Sequence, residues 1–453
     1  MSRFSGYALA PVPFIFDLRD HLSSTSDRLG LMAAKKSTKQ LTMIDLFAGC
    51  GGLSLGLEEA GFHPLLFSEL NKSAADTYIA NRPGKGIKYV GDVYSLTNDV
   101  LAAYMDEWAQ AGITDIDLVC GGPPCQGYSG IGHRRSFTVT KEQIPSNHLY
   151  KEMIRVIEQV RPRLFLFENV KGLLSGRWTP TGAKGEIWED VKASFRAIEG
   201  YSVRHTIVHA KNYGVPQNRP RVLLVGIRDG VSWTGSALET EDAVEAGLLP
   251  RGKGGYPDIR DVFSDLVDSR YRDRGQTDKY LSSPKSDFQK EIRRIGRKVL
   301  QKGDPLTEQE YSDHAPRIRE KFQYMIDHGG KVPPRMQTKK FAQRVVPETW
   351  GEDGPSITAT SLPDDFVHYA QPRSLTVREW ARLQTFPDWY QFKGPRTTGG
   401  HRRAGNPDEG NWDREVPKYT QIGNAVPVRL AKAVGSHFKA LLANSGPQNG
   451  VRT

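Results

Sequence analysis

The chain has 453 residues, with 62 Lys and Arg against 52 Asp and Glu, which gives a formal net charge of +10. This length predicts two or three domains with a sizeable core, and the aromatic content argues against wholesale disorder. No apolar run approaches the ~20 residues that cross a bilayer, and three cysteines are too few for a disulfide framework or a Cys-rich zinc site, so we expect no membrane span, no metal and a reducing cytoplasm.

Residues 1–40 are predicted to be a poorly ordered extension, because prolines, serines and lysines are scattered through them without a clear strand. From Leu41 onward, short apolar runs alternate with segments of helical periodicity. This alternation predicts the α/β class, with a mostly parallel sheet covered by helices on both faces. The predicted strands are 41–47, 64–67, 116–120, 164–167, 202–209 and 222–227, and the predicted helices include 53–61, 72–81, 149–160 and 187–198.

After about Arg228 this rhythm stops, and the chain becomes basic and rich in turns to about Tyr369. Between Arg251 and Trp350 there are 22 Lys and Arg against 15 Asp and Glu. One helix is predicted here, over about 287–300. A clustered cationic face attracts nucleic acid, although a solvated basic surface has the same composition. The stretch therefore reads as a separate, smaller domain, and α/β character returns at 372–386 and 421–442.

A glycine-rich turn follows the first predicted strand, in the sequence Asp45-Leu46-Phe47-Ala48-Gly49-Cys50-Gly51-Gly52. Such a turn between a strand and a helix lets main-chain amides approach a ligand closely. The spacing is not GxGxxG, so a purely structural turn explains this segment equally well. Glu69 and Asp92 follow the next two strands, where an acidic residue binds ribose hydroxyls or caps a helix. Together the three strand ends favour a nucleoside-like ligand.

A cysteine lies on a rigid turn after the strand that ends at Cys120, in the sequence Gly121-Gly122-Pro123-Pro124-Cys125. Cys125 is therefore expected at the ligand-binding edge of the sheet. A thiolate there is a strong nucleophile if neighbouring groups lower its pKa. Cys50 and Cys120 instead fit buried, inert thiols.

Two further segments carry charged residues at strand ends. Glu168 ends an apolar strand, where burial raises the pKa of a carboxylic acid and lets it donate a hydrogen bond at neutral pH. Arg219 and Arg221 lead into another strand at alternate positions, so their side chains lie near one another. Two guanidiniums suit a base edge or a phosphate, although either alone is as well explained by a surface ion pair.

Six motifs in order along the chain resemble the cytosine-5 DNA methyltransferases of prokaryotic type. They are DLFAGCGG (45–52), GGPPCQGYS (121–129), ENV (168–170), QNRPR (217–221), RSLTVREWARLQTFPD (373–388) and QIGNAVPV (421–428). The resemblance spans 41–442 and implies a Rossmann-like, S-adenosylmethionine-dependent methyltransferase fold with a smaller inserted target-recognition domain. It predicts a catalytic and cofactor-binding domain at 41–230, target recognition at 231–371, a return to the catalytic domain at 372–445 and a tail at 446–453.

By this resemblance the chain methylates C5 of cytosine in DNA with S-adenosylmethionine. Cys125 attacks C6 of the cytosine, Glu168 engages N3 and the exocyclic amine, and Arg221, helped by Arg219, holds the O2 side. The base must be flipped out of the duplex, because its reacting atoms cannot be reached inside the stack. The cofactor contacts implied are Asp45, Phe47, Ala48, Gly49, Gly51, Gly52, Glu69, Leu70, Asp92, Pro123 and Asn424.

DNA contacts are expected in two places. The loop after Cys125 closes over the flipped base and carries Gln126, Ser129, Arg134 and Arg135, and the predicted basic helix carries Arg293 and Arg294, which we expect to meet phosphates. The partners predicted are double-stranded DNA and a restriction endonuclease encoded nearby, with the chain acting as a monomer in the cytoplasm. Two features depart from the family: Leu70 stands where an aromatic residue can occur, and the loop at 396–416 is longer than usual.

Three other interpretations remain open at this point. An RNA cytosine-5 methyltransferase has the same scaffold, but its family members carry Cys-Phe-Thr near the nucleophile, whereas this chain has Cys125-Gln126-Gly127-Tyr128-Ser129. A protein that binds without catalysis would not need Cys125, Glu168 and Arg221. A dinucleotide oxidoreductase would need GxGxxG and gives Cys125 no role. The target DNA sequence is not predicted, because base readout depends on docked geometry.

Overall fold

The computed structural model describes residues 40–124, 148–179, 181–233, 235, 238–337, 343–347, 356–357, 365–397 and 415–444. The predicted N-terminal extension up to residue 39, the predicted C-terminal tail and most of the loop after Arg396 lie outside these ranges. In the part of the chain that is described, no helix is both long and apolar enough to cross a membrane.

Seven strands form one sheet in the order β3-β2-β1-β4-β5-β7-β6. Among these seven, β7 runs antiparallel to both of its neighbours, and the other pairings are parallel. The predicted mostly parallel sheet is therefore confirmed. The strands are β1 (Leu41–Leu46), β2 (Phe62–Ser68), β3 (Lys88–Val90), β4 (Leu118–Gly121), β5 (Leu164–Val170), β6 (Tyr201–His209) and β7 (Pro220–Arg228).

The direction of β7 decides which residues meet at the sheet edge. Because β7 is antiparallel to β5, its first residues lie beside the last residues of β5, and Val170 pairs with Arg221. The carboxyl ends of β1, β2, β4 and β5 therefore share one edge with the amino end of β7. Ligands of open α/β sheets bind at this edge.

Helices cover both faces of the sheet. Apolar residues of α3, α4 and α5 pack on one face, and those of α1 and α11 pack on the other. The helices are α1 (Gly52–Ala60), α2 (Lys72–Ala80), α3 (Asn98–Gln110), α4 (Leu149–Val160), α5 (Glu186–Arg196), α6 (Ile259–Phe263), α7 (Asp287–Ile292), α8 (Pro316–Asp327), α9 (Val377–Leu383), α10 (Lys418–Asn424) and α11 (Val428–Asn444), with short 3₁₀ segments at Val93–Ser95, Lys171–Ser175, Ala210–Tyr213 and Pro334–Met336.

The helix predicted over 287–300 is wrong in its second half. Ser286 caps α7, which ends at Ile292, and the chain then forms a hairpin of β8 (Arg294–Ile295) and β9 (Lys298–Val299). Gly296 lies in the turn with a φ of 57°, a left-handed conformation that glycine adopts easily and that ends a right-handed helix. A second strand pair is parallel and joins β10 (Arg344–Val345) to β11 (Phe366–Val367).

A third apolar core lies around α9. It joins residues of α6 and α7, which fall in the predicted target-recognition domain, to α9 and α10. A capping box fixes the start of α9, because Thr376 and Glu379 satisfy each other's main-chain amides. The apolar packing thus connects the basic stretch with the C-terminal part of the chain, and the boundaries of the proposed domains stay a prediction.

Candidate functional site

The glycine turn, Phe47–Gly52, connects the carboxyl end of β1 to the start of α1. Phe47, Gly49 and Gly51 all have positive φ angles, of 59°, 57° and 85°. The turn is closed by a hydrogen bond of 3.0 Å from Gly51 N–H to the Ala48 carbonyl. A left-handed Phe is uncommon and strained, so the surrounding structure must hold this conformation.

The two sides of the glycine turn differ in packing. A Cβ placed on Gly51 would lie 2.9 Å from atoms of Arg82, Tyr78 and Tyr390, whereas a Cβ on Gly49 would meet no atom within 4 Å. One side of the turn is therefore packed against the protein and the other faces open space. Main-chain amides of the turn and of the first turn of α1 can approach a ligand on that open side.

Glu69 is positioned by the main chain at the end of β2. Its carboxylate accepts hydrogen bonds from Gly49 N–H at 2.9 Å and from Asn71 N–H at 2.7 Å. Burial raises the pKa of Glu69, and the two amide donors partly oppose this shift. Leu70, the next residue, is 75% exposed. An oriented carboxylate, an apolar side chain and the glycine turn thus lie on neighbouring strands.

The other predicted cofactor residues occupy the same edge. Asp92 is exposed and caps a 3₁₀ turn after β3 by accepting from Tyr94 N–H. Asn424 is exposed at the end of α10, and Pro123 is buried after β4. Ala48 donates to the Ser68 carbonyl, and Gly52 begins α1, where a Cβ would lie 2.5 Å from the Val426 carbonyl. The C-terminal segment therefore packs directly on the glycine turn.

The side chain of Asp45 differs from expectation. It is 1% exposed, and its carboxylate accepts a hydrogen bond of 2.5 Å from Ser54, a residue of α1. Burial raises the pKa of Asp45 to about 7. This carboxylate therefore holds α1 onto β1 beneath the turn, and the expected direct contact of its side chain with a cofactor is corrected.

Glu168 and Arg221 form a buried ion pair across β5 and β7, with 2.7 Å between Oε1 and Nε. Burial raises the pKa of Glu168, although Arg221 and Arg219 act in the opposite direction. A Cβ on Gly122 would lie 2.9 Å from Glu168 Oε2, so only glycine lets the turn after β4 lie this close to the carboxylate. Asn169 donates to the Pro123 carbonyl at 3.1 Å and fixes the same turn.

The guanidinium of Arg219 makes different contacts from those that the sequence predicts. Its guanidinium is buried and donates to the main-chain carbonyls of Ile357, Gly423 and Ala425. Burial and the neighbouring Arg221 lower its pKa well below the usual value. Arg219 therefore ties the start of β7 to the C-terminal segment, and the expected contact with a bound base is corrected to this structural one.

Arg293 also differs from the prediction that it meets DNA. Its side chain is fully buried, forms an ion pair with Asp265 and stacks over the Tyr280 ring at 3.6 Å. A phosphate cannot reach a guanidinium enclosed in this way. Arg294, the first residue of β8, is exposed, and its contact with DNA phosphate stays a prediction.

The nucleophile and its loop lie outside the described residues. These predicted positions are Cys125, Gln126, Ser129, Arg134 and Arg135. The other two thiols are buried as predicted: burial raises the pKa of Cys50 to about 12 and that of Cys120 well above its usual value. Neither thiol suits nucleophilic attack at neutral pH.

Sequence reasoning missed the residues that support the glycine turn from behind. Tyr390 donates to the Cys50 carbonyl at 2.6 Å, and Arg82 donates to the Gly51 carbonyl at 3.2 Å. The Cys50 thiol contacts the Gln421 carbonyl at 3.4 Å. Gln421 could have been found from sequence because it begins the QIGNAVPV motif. Arg82 and Tyr390 carry no comparable sequence signal.

The site as described combines an open turn for a nucleoside-like ligand with a buried acid beside an arginine. No cluster of three His, Cys, Asp or Glu that could hold a metal occurs among the described residues. The Glu168–Arg221 pair lies beside the turn that starts at Gly121.

Comparisons with known proteins agree on one family. The sequence profile described as C-5 cytosine-specific DNA methylase matches residues 41–440. Type II methyltransferase M.XorII of Xanthomonas oryzae pv. oryzae is 31% identical, over 88% of this chain and 84% of its own. M.DdeI of Desulfomicrobium norvegicum, also a Type II methyltransferase, is 28% identical, over 89% of this chain and 90% of its own. A solved structure named as a prophage-encoded DNA modification methyltransferase (E. coli) shares the fold, with a TM-score of 0.61 and 23% identity over 89% of this chain and 99% of that one.

Proposed function

Because the chain belongs to the C-5 cytosine-specific DNA methylase family, we propose that it transfers a methyl group from S-adenosylmethionine to C5 of a cytosine flipped out of a specific short duplex DNA sequence. The observation that carries the proposal is the buried Glu168–Arg221 pair at the sheet edge. It lies against the turn whose last described residue, Pro124, is bonded to Cys125.

The residues around the glycine turn fit S-adenosylmethionine. The open side of Gly49 leaves room for a ligand, and the Glu69 carboxylate is held by two main-chain amides, in an orientation suited to ribose hydroxyls. Phe47 and Leu70 offer apolar surface for adenine, and Asp92 offers a polar edge. Asn424 stands at the end of α10, which packs on the same turn. When bound, S-adenosylmethionine supplies an electrophilic methyl group.

Glu168 and Arg221 are suited to hold and polarise cytosine. Burial raises the pKa of Glu168 and so favours its protonated form, in which one oxygen donates a hydrogen bond toward N3 while the second accepts from the exocyclic amine. Arg221 lies on the same edge and can donate to O2. Withdrawal of electrons through N3 and O2 makes C6 a better electrophile.

Cys125 is the proposed nucleophile. Its thiolate forms a bond to C6 of the flipped base, and the electron pair of the C5–C6 double bond makes C5 nucleophilic. C5 would then take the methyl group of S-adenosylmethionine, whose methyl–sulfur bond breaks so that S-adenosylhomocysteine is left. A base removes the C5 proton, and the electrons of that bond restore the double bond as the thiolate leaves. The other two thiols, Cys50 and Cys120, are buried and their pKa values are raised, so neither is suited to be the nucleophile.

We also propose that the chain belongs to a restriction–modification system, with double-stranded DNA as its substrate and a restriction endonuclease encoded nearby. This rests on the Type II names of its relatives. The exposed Arg294 and the basic stretch around it are the proposed phosphate contacts, together with the arginines that follow Cys125. We propose that it acts as a monomer in the cytoplasm.

The experiment that tests the function is a base-resolution map of 5-methylcytosine in a methylation-free bacterial host that expresses the chain, beside a Cys125→Ala control. We expect methylation at one recurring short word in the wild type and none in the control. A blank map from well-folded protein would contradict duplex DNA as the substrate. A control that methylates like the wild type would contradict Cys125 as the nucleophile.

A further inference from the structure

Tyr390 contacts the glycine turn from its packed side. Its hydroxyl donates to the Cys50 carbonyl at 2.6 Å and accepts a hydrogen bond from Arg82 Nη1 at 3.1 Å. The ring is fully buried, so this hydroxyl has no access to solvent. The Cys50–Gly51 peptide is planar, and holding its carbonyl fixes the direction of its N–H as well.

Arg82 holds the next carbonyl of the glycine turn, that of Gly51. Its Nη2 donates to the Gly51 carbonyl at 3.2 Å, while its Nε is paired with Glu58 Oε1 at 2.6 Å. The guanidinium lies 3.7 Å from the centre of the Tyr78 ring. Two consecutive carbonyls of the turn are therefore held on the packed side. Their peptide groups are held against rotation, and the Gly51 N–H stays on the Ala48 carbonyl at 3.0 Å, which keeps the turn closed beside the open side of Gly49.

Tyr390 is itself fixed through Asp388, two residues earlier. Asp388 accepts from Tyr280 Oη at 2.5 Å and from Arg382 Nε at 3.0 Å, and its N–H donates to the Ile292 carbonyl at 2.8 Å. Tyr280 and Ile292 belong to the predicted target-recognition domain. Asp388 and Arg382 are fully enclosed, so solvent does not weaken this network.

We propose that Tyr390 is a positioning residue for the cofactor: with Arg82, it holds the glycine turn in its ligand-binding conformation, and Asp388 anchors it to the target-recognition segment. This inference rests on the proposed function, since it assumes that the turn binds S-adenosylmethionine. Loss of the hydroxyl leaves the buried Cys50 carbonyl without this donor. The turn then spends time in other conformations, and apparent affinity falls in proportion to the fraction that remains competent.

The test compares Tyr390→Phe with Tyr419→Phe. Tyr419 is a matched control, because its buried hydroxyl also donates to a carbonyl, that of Leu375 at 2.8 Å, and contacts an arginine, Arg396, without touching the turn. For each protein we would measure the Kd for S-adenosylhomocysteine by calorimetry, KM for S-adenosylmethionine and kcat on unmethylated phage DNA, and Tm. All binding measurements are made well below Tm.

Tyr390→Phe should weaken S-adenosylhomocysteine binding and raise KM about tenfold, with kcat at saturating cofactor within about twofold of wild type. Tyr419→Phe should match the wild type in Kd and KM even if its Tm falls equally. Equal Kd values for the two variants, or a fall in kcat at constant KM, would overturn the positioning role.

A third variant, Tyr280→Phe, tests the anchor. Removing its hydroxyl should raise the Kd for S-adenosylhomocysteine by about two- to threefold, since the Asp388 carboxylate loses one donor and Tyr390 is held less firmly. An unchanged Kd would overturn the link to the target-recognition segment. If the wild type bound no S-adenosylhomocysteine at all, the proposed function would be contradicted. Equal binding by wild type and Tyr390→Phe would instead overturn only the positioning role of Tyr390.

Discussion

Glu168 and Arg221 meet because β7 is antiparallel to β5, so the last residues of β5 lie beside the first residues of β7. Their ion pair is 2.7 Å long and nearly enclosed. Burial penalises the charged carboxylate and raises the pKa of Glu168, and Arg221 opposes that rise. An acid in this state can donate a hydrogen bond to a neutral base and still respond to pH.

Replacing Glu168 by Gln should lower kcat by at least about 100-fold, because the amide cannot transfer a proton toward N3. Affinity for S-adenosylhomocysteine should stay near that of the wild type, since Glu168 lies on β5 and the glycine turn follows β1. In the wild type, the protonated form is lost as pH rises through the raised pKa, so the rate should fall on the alkaline side. Rate measurements across pH check this: the Gln variant should lack that limb, and a variant with wild-type rates would contradict the role of Glu168.

Alkylation distinguishes the three cysteines. Iodoacetamide reacts with thiolates, and burial raises the pKa of Cys50 and Cys120, so neither should react in the folded protein at pH 8. We expect one label per chain, on Cys125, with loss of methyl transfer and retention of S-adenosylhomocysteine binding. Peptide mass spectrometry locates the label. Modification of Cys50 or Cys120 at a comparable rate would show that these thiols are more accessible than their burial indicates.

Arg293 and Arg294 are adjacent but should behave oppositely. Arg293→Ala removes one partner of an enclosed ion pair and should reduce the free energy of unfolding by about 3–5 kcal/mol. Arg294→Ala should change that free energy by no more than about 0.5 kcal/mol. Urea denaturation of the two variants measures both effects.

The second test of Arg294 measures its contribution to DNA binding. If Arg294 meets phosphate, its replacement should weaken binding to every DNA sequence and lower the slope of log affinity against log salt by about 1. Titrations of duplex DNA at several salt concentrations give this slope. An Arg294→Ala variant with the wild-type slope would show that Arg294 is a solvated surface residue that does not contact phosphate.

Two glycines of the turn should respond differently to alanine. Gly51→Ala places a Cβ 2.9 Å from three side chains at a φ of 85°, so we expect a loss of stability of more than about 2 kcal/mol. Gly49→Ala has no neighbour within 4 Å and should cost about 1 kcal/mol through its φ of 57°. Its Cβ would enter the proposed ligand space, so S-adenosylhomocysteine affinity should fall. Unfolding experiments measure the loss of stability, and calorimetry measures the affinity for S-adenosylhomocysteine. Wild-type affinity in Gly49→Ala would contradict the proposal that the cofactor binds beside Gly49.

Asp45 should make stability depend on pH. Its pKa is about 7 in the folded protein against 3.8 as the usual value, so between these limits the folded state binds the extra proton. The stabilising contribution is therefore complete below about pH 4 and is lost as pH rises through about 7, a fall of about 4 kcal/mol in all. Asp45→Asn cannot titrate and should not show this fall. Urea unfolding of both proteins across this range measures the difference, and parallel curves would contradict the raised pKa.

The sheet could be predicted from sequence because its central strands, β1, β4, β5 and β7, are enclosed on both faces. Such strands read as short apolar runs, and the residue after each run marks the ligand edge, which is how Glu69 and Glu168 were found. The helix over 287–300 was predicted too long, since helical periodicity continued past Gly296. The helix already ends at Ile292, and Gly296 then forms the left-handed turn of the hairpin that follows.

Partners distant in sequence could not be predicted. A basic residue in a basic stretch suggests a surface contact with DNA, but Arg293 is enclosed by Asp265 and Tyr280. Arg219 is likewise enclosed by main-chain carbonyls, which carry no sequence signal. The hydrogen bond between Tyr390 and the Cys50 carbonyl joins positions 340 residues apart. Only the folded chain shows which charges are neutralised.

The packing of the C-terminal segment on the glycine turn has a consequence for synthesis of the protein. Gly56 in α1 lies so close to α11 that a Cβ would be 2.4 Å from the Val428 carbonyl, and the Cys50 thiol meets Gln421, 371 positions later. On the ribosome, β1 and α1 emerge early, yet the surfaces that complete them emerge near the end. A nascent chain, or one cut short by a premature stop, therefore carries the basic stretch without a finished glycine turn. If the basic stretch binds DNA as proposed, such incomplete copies bind DNA without methylating it.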